Sequence, residues 1–297
     1  PDTLRTFLEN LYKAYVANGE VDVWADNSKP YKAQLVVYDR TKNAVVYGTE
    51  WYETTAADDD PVTINADDDA FLSKNYTGEI NFASALGDNG KMELYVNFDL
   101  QYTCTKEEAS KYYFGLRYVA SAGTTLTAWS STSTQLVGNG KSGWLEGSPE
   151  GAISDMATGA GVISVGSYVT KNTIPHLEGE ANYNKSAMGD IMYSSSYGID
   201  ENGVSKPMIT APGHMVVPAM NRYDNTIADQ RSQMAAVATI DGSEYLWREM
   251  GGTSMSAPVV TGIVATWMQA DSELDAEALK EILAATAIRD EFITENN

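Results

Sequence analysis

Hydrophobic and polar positions divide this chain into two stretches of different texture. From about Val21 to Ser131, apolar and polar residues alternate in short runs broken by polar turns, the period of half-buried strands. Leu35-Val36-Val37-Tyr38 and Ala44-Val45-Val46-Tyr47 flank the loop Asp39-Arg40-Thr41-Lys42-Asn43 and predict two strands of a hairpin. Gly78–Phe82, Met92–Tyr102, Tyr113–Val119 and Thr125–Trp129 predict further strands, with tyrosine and tryptophan recurring as a pleated, half-buried surface prefers. Leu4–Val16 is compatible with a short helix or a strand. Short strands with no long helix between them predict an all-β sandwich or jelly roll over residues 1–135.

Ser130–Pro149 is rich in Ser, Thr and Gly and reads as a connecting loop. Beyond it the pattern becomes α/β. Gly161-Val162-Ile163-Ser164-Val165-Gly166 predicts a buried parallel strand. Ser256–Ala270 is apolar nearly all round, which predicts a helix covered on every side, with Pro258 tolerated in its first turn. Asp275 is placed to cap a second helix that gathers Ala278, Leu279, Ile282, Leu283 and Thr286 on one face. Residues 136–297 thus read as an α/β domain with too few strands to be a complete doubly wound fold.

Composition changes the picture in a few places. With 41 acidic against 20 basic residues the net charge is −21, which argues against nucleic acid and anionic membranes as partners. No run of about eighteen apolar residues predicts a membrane span. The single cysteine, Cys104, excludes an internal disulfide and is expected to be a small buried hydrophobe. The opening Pro1-Asp2-Thr3-Leu4 lacks the features of a signal peptide, so any such segment is expected outside this chain, which reads as a fragment. Asp58-Asp59-Asp60 and Asp67-Asp68-Asp69 are weighed between solvated acidic loops and a structural calcium site, and they lack EF-hand spacing. The aromatics Trp24, Trp51, Tyr52, Tyr95, Tyr112 and Tyr113 are explained with fewer assumptions by a core than by a sugar- or peptide-binding face.

Candidate chemistry concentrates in Gly251-Gly252-Thr253-Ser254-Met255-Ser256-Ala257-Pro258. A serine hydroxyl becomes a useful nucleophile when a base removes its proton and donors stabilise the oxyanion. At the start of a buried helix, its backbone N–H and the helix dipole face the developing negative charge. Glycines before it allow a sharp turn, and small residues after it let the helix sink into a core. A plain helix cap would share several of these features.

The segment closely resembles the Gly-Thr-Ser-Met-(Ala/Ser)-(Ala/Ser)-Pro signature of subtilisin-like serine peptidases, the subtilases. Three earlier segments resemble the same family in its order. They are Gly161–Tyr168, Met192-Tyr193-Ser194-Ser195-Ser196-Tyr197-Gly198, and Lys206-Pro207-Met208-Ile209-Thr210-Ala211-Pro212-Gly213, with Met208 where aspartate is usual. The resemblance implies a serine endopeptidase with Ser254 as nucleophile and Gly252 and Thr253 in its loop, acting on proteins or peptides without a catalytic cofactor or metal. It implies an extracellular, periplasmic or cell-surface bacterial location. The family orders its triad Asp, His, Ser. His176 and His214 come too late in the chain for the base and read as non-catalytic, and no Asp-(Thr/Ser)-Gly segment precedes them. Asn27 is a faint echo of the oxyanion asparagine, although Asp26 replaces the usual glycine. The expectation is therefore the C-terminal part of a subtilisin-like catalytic domain, inactive alone and partnered by an upstream half that carries Asp, His and Asn. Residues 1–135 would be an inserted jelly-roll-like sandwich, as in clostridial germination proteases. The alternative is a non-catalytic glycan- or protein-binding sandwich with a relic subtilase half.

Overall fold

The structure, a computed structural model, describes residues 4–10, 17–57, 60–131, 134–200, 202–224 and 230–289. It divides into two compact units, residues 1–147 and 148–297.

The first unit is two antiparallel sheets around one core. Its strands in chain order are β1 (Leu4–Asn10), β2 (Ala17–Ala25), β3 (Lys32–Asp39), β4 (Ala44–Gly48), β5 (Tyr52–Glu53), β6 (Val62–Asn65), β7 (Tyr76–Leu86), β8 (Met92–Tyr102), β9 (Tyr112–Val119), β10 (Leu126–Ser130) and β11 (Thr134–Val137). One sheet has the order β11-β1-β9-β3-β4, with β5 also on β3, and the other β10-β2-β8-β7-β6. The short helix α1 (Lys106–Ala109) joins β8 to β9 and is held by a capping box between Thr105 and Glu108.

Alternation decides which side chains enter the core. Met92, Leu94, Val96, Phe98 and Leu100 of β8 are all buried there, and the intervening Glu93, Tyr95, Asn97 and Asp99 point away. Each such apolar side chain contributes about 1.5–3 kcal/mol by leaving water. β3 is buried on both faces, which is why it reads Leu-Val-Val-Tyr without alternation: Leu35 and Val37 join the main core, while Val36 and Tyr38 join a second cluster with Phe7 and Trp144. Trp144 stacks on Phe7 with ring centroids 3.6 Å apart.

Several expectations change here. Leu4–Asn10 is a strand, paired to β9 and β11, and Leu11–Val16 lie outside the described residues. The stretch expected as a loop after Ser130 contains β11 and the Trp144 turn, so the compact unit runs on to Gly147 instead of ending at 135. Three pairs of consecutive strands are hydrogen-bonded neighbours, β3–β4 in one sheet and β6–β7 and β7–β8 in the other. Cys104 is half-buried. Tyr52, Tyr112 and Tyr113 pack against the clusters as core aromatics, whereas Trp51 and Tyr95 are exposed.

The two sheets differ in charge. The strands β2, β6, β7, β8 and β10 carry Glu20, Asp22, Glu79, Glu93 and Asp99 and not one Lys or Arg. Burial, reinforced by the neighbouring Asp22, holds the Glu93 carboxyl above its usual range. The opposite sheet's outer cluster is ringed by cations: Arg5 over Trp144, Arg40 over Tyr113 and Lys141 over Tyr38.

The second unit is built on the three-stranded sheet β12 (Val165–Val169), β17 (Ile209–Val216) and β20 (Met250–Gly251), ordered β12-β17-β20. Around it are three small hairpins: β13 (Thr173–Pro175) with β14 (Glu180–Asn182), β15 (Gly198–Ile199) with β16 (Ser205–Lys206), and β18 (Ala236–Ile240) with β19 (Ser243–Trp247). Two helices follow, α2 (Thr253–Ala270) and α3 (Ala276–Thr286). β12 and β17 are parallel, with Val165 opposite Ile209. The strand expected over 161–166 therefore begins at Val165. Ser164 ends the preceding turn by accepting the Met208 N–H on both its carbonyl and its hydroxyl.

Asp275 caps α3 through the Ala278 N–H at 2.9 Å, and Leu279 and Leu283 are its buried residues. α2 begins at Thr253, earlier than expected, so Pro258 sits in the second turn and leaves the Ser254 carbonyl without its helical donor. The expected burial on every side is not found. Only Ser256 and Val260 of α2 are buried, while Val259, Ile263 and Met268 are exposed. The sheet covers one face, where Val260 packs with Ala211 and Leu283.

Removing the Phe7 ring takes away the stacking partner of Trp144 and leaves a cavity. Phe7→Ala is expected to destabilise the first unit by about 3–5 kcal/mol, measured by urea denaturation followed by circular dichroism.

Candidate active site

Ser254 is the second residue of α2, and its side chain lies at the surface. The chain reaches it through β20, whose Gly251 pairs with His214 and whose Met250 pairs with Val216 of β17. At Gly252 the backbone adopts φ 134°, a conformation that L side chains rarely reach, and turns into the helix. The Gly252 N–H donates to the Gly213 carbonyl at 2.7 Å, and the Met255 N–H returns to the Gly252 carbonyl at 3.0 Å. Thr253 is exposed beside Ser254.

Gly213 marks the closest approach of β17 to this turn. A Cβ there would lie 1.9 Å from Ser256 Oγ, 2.4 Å from Ser167 Oγ and 2.9 Å from the Gly252 carbonyl oxygen. The glycine of Ala211-Pro212-Gly213 and the small Ser256 after the serine are therefore two sides of one steric constraint. Position two of a helix also leaves the Ser254 N–H without an intrahelical acceptor, facing outward with the dipole behind it.

Beside Ser254 runs a cleft of about 600 Å³, lined by Val216, Pro218, Met220, Met250, Met255 and Val259 among others. Its walls are apolar and methionine-rich, suited to an extended segment with apolar side chains.

His214 lies against the nucleophile segment and His176 is bonded to a residue two positions before it, placements the sequence alone did not show. His176 Nε2 is hydrogen-bonded to Glu249 Oε2 at 2.6 Å, tying β13 to the residue just before β20. The His214 ring is half-buried beside Gly251, where an added Cβ would meet its Nδ1 at 2.0 Å, and Tyr183 packs edge-on at 4.0 Å. Neither ring nitrogen of His214 has a hydrogen-bond partner among the described residues. Burial accordingly holds its pKa below 6.5, so the neutral ring is favoured. Their only sequence signal was proximity to motif segments, because a His–Glu pair separated by 73 residues has no local pattern.

Asn27 belongs to the other unit. Its Oδ1 accepts the Lys29 N–H, and its amide donates to Asp26 Oδ1 at 2.7 Å and Thr124 Oγ1 at 3.2 Å. The amide that an oxyanion hole would need is engaged in a turn. In the acidic triplets, Asp69 accepts from the Phe71 and Leu72 N–H groups and from Tyr47, and Asp67 from Thr77; Asp58 and Asp59 lie outside the described residues. No group of three or more His, Cys, Asp or Glu side chains is placed to hold a metal ion among the described residues. Nor is any helix among them long and apolar enough to cross a membrane.

The family model described as the subtilase family matches residues 84–297. An uncharacterised protein of Aquifex aeolicus (aq_aa18) is 31% identical over 150 residues, covering 49% of this chain and 61% of that protein. Serine protease AprX of Bacillus subtilis is 31% identical over 158 residues, covering 52% of this chain and 30% of that protein. The CspB protease of Clostridium perfringens superposes with a TM-score of 0.53 at 19% identity, over 98% of this chain and 50% of that one, a likeness of fold. The chain therefore spans less than two thirds of the length of each.

Two outcomes test the geometry. Gly213→Ala is expected to destabilise the second unit by about 1–3 kcal/mol, because its methyl group collides with Ser256, Ser167 and backbone; thermal melts of the two proteins measure this. For His214 the folded state resists protonation while the unfolded state does not. Its contribution is therefore complete above pH 6.5 and is lost as pH falls below that value. His214→Phe is expected to flatten the loss of stability between about pH 7 and pH 5, as read from denaturation midpoints across that range.

Proposed function

The chain belongs to the subtilase family, and from that premise we propose that it is the nucleophile-bearing part of a serine endopeptidase, with Ser254 as nucleophile. The observation that carries the proposal is Ser254 at the exposed start of α2, past a Gly-Gly turn locked to Gly213 and open to the apolar cleft. In this reading Ser254 Oγ attacks the scissile carbonyl while a histidine takes its proton, and the carbonyl oxygen becomes an oxyanion opposite the Ser254 N–H. The C–N bond then breaks, the amine leaves with the proton, and water hydrolyses the acyl-enzyme.

We assign the histidine, its orienting aspartate and the oxyanion asparagine to polypeptide outside residues 1–297. Supporting this, His176 is held by Glu249, and His214 is half-buried behind Gly251 with its protonated form disfavoured. The uncovered apolar face of α2 (Val259, Ile263, Met268) is where the rest of such a domain would pack. We read the sandwich as a jelly-roll-like insertion into that domain. Its substrates would be proteins or peptides outside the cytoplasm, with no catalytic cofactor.

A fluorophosphonate probe is expected to label Ser254 in a polypeptide that joins this chain to the missing triad residues, and to leave Ser254→Ala unlabelled. The 297-residue chain alone should cleave a fluorogenic peptide no faster than background. A folded complete protein that resists the probe would overturn the assignment.

A further inference from the structure

In a chain with 41 acidic residues, two arginines stand side by side with no carboxylate paired to either among the described residues. Arg5 of β1 is directly opposite Arg117 of β9, and Gln34 of β3 is opposite Arg117 in turn. Strand alternation puts all three on the face that carries Phe7, Val36 and Trp144, away from the main core. Like charges opposed across antiparallel strands destabilise the sheet. Burial, and after it the Arg5 charge, hold the Arg117 pKa below its usual value.

The hydrogen-bonding inventory of this row is incomplete. The Nε atoms of Arg5 and Arg117 are buried and have no acceptor, and Gln34 Oε1 is buried and has no donor, among the described residues. The Gln34 amide is oriented by its donation to the Thr49 carbonyl at 2.7 Å. Asn139, two residues beyond the Val137 that pairs with Phe7, adds a buried Nδ2 without an acceptor. None of the ion pairs among the described residues includes either arginine. Glu146, next to the Leu145 that donates to the Arg5 carbonyl, accepts the Gly138 N–H instead. The guanidinium of Arg5 lies over the Trp144 ring at 5.7 Å and beside Gly143, where an added Cβ would meet its Nη2 at 3.3 Å, and the row stays partly accessible. Arg40 and Lys141 add positive charge over the same aromatic cluster.

We propose that Arg5 and Arg117 form an oxoanion site on the sandwich, taking a carboxylate or a phosphate group. Two guanidinium forks match such oxygens bidentately, and the anion removes the repulsion between the two cations.

The test follows the unfolding midpoint of the 297-residue chain at fixed ionic strength, with chloride as reference. One arm adds inorganic phosphate and the other N-acetylglutamate α-amide. The midpoint is expected to rise with at least one probe, and Arg5→Gln and Arg117→Gln are each expected to weaken that probe about tenfold or more. A response to phosphate alone identifies a small-anion site, and a stronger response to the amide identifies a polypeptide carboxylate. Either supports the proposal. Neither probe exceeding chloride, or variants responding as the wild type does, overturns it. Should a glutamine variant fail to fold, Arg117→Lys keeps the charge without the fork, and the wild-type selectivity over chloride still decides.

Discussion

Where the Gly252 N–H meets the Gly213 carbonyl, β17 comes close enough to the start of α2 that no side chain fits between them. The remainder of the second unit follows from that contact. It forces glycine at 213 and a small residue at 256, and it fixes the angle at which α2 leaves the sheet. Because Gly251 and Gly252 carry no side chains, β20 can pair with β17 and then turn at once, which delivers Ser254 to the surface while Ser256, two residues on, is fully buried. The placement of the Ser254 side chain thus depends on rigid backbone geometry more than on any property of the serine itself.

Much of this was legible in the sequence because the constraint is local. Gly-Gly-Thr-Ser and Ala-Pro-Gly each state a backbone requirement in residue types, and Asp275 states a cap. What escaped notice depended on tertiary contact. Leu4–Asn10 lacks a decisive period because Phe7 and Leu8 serve two different clusters on opposite faces. The segment around Trp144 looked like a loop, since nothing local shows that its indole will stack on a residue more than a hundred positions earlier. α2 reads as an all-round buried helix from composition alone, and the surroundings present in this chain cover one face of it. Asn27 shows the reverse situation, in which a short resemblance falls on a residue whose side chain is engaged in local turn hydrogen bonds.

The sandwich reaches its stability by a different route. Its core is assembled from strands distant in sequence: β2 pairs with β8, and β9 lies between β1 and β3. That places its cost in loop closure and its gain in a single dense cluster running from Leu8 to Tyr118. Polar side chains at strand ends, such as Thr54 on the Tyr31 N–H and the Tyr31 hydroxyl on the Val23 carbonyl, satisfy the buried groups that such a core creates.

The uneven charge of the two sheets has a physical consequence for how the sandwich behaves in a field. Packed sheets lie about 10 Å apart and these charges point outward from both, so the two faces are separated by more than the Debye length of about 10 Å at 0.1 M salt and by less than the roughly 30 Å reached at 0.01 M. At low salt the carboxylate-bearing strands and the cation-ringed cluster are therefore felt together by an approaching charge. The unit is a slab with carboxylates alone on the strands of one sheet and both signs on those of the other, in a chain that is strongly anionic in sum. A charged body approaching in solution experiences a torque before it experiences contact, and will meet the slab in one orientation more often than in the other.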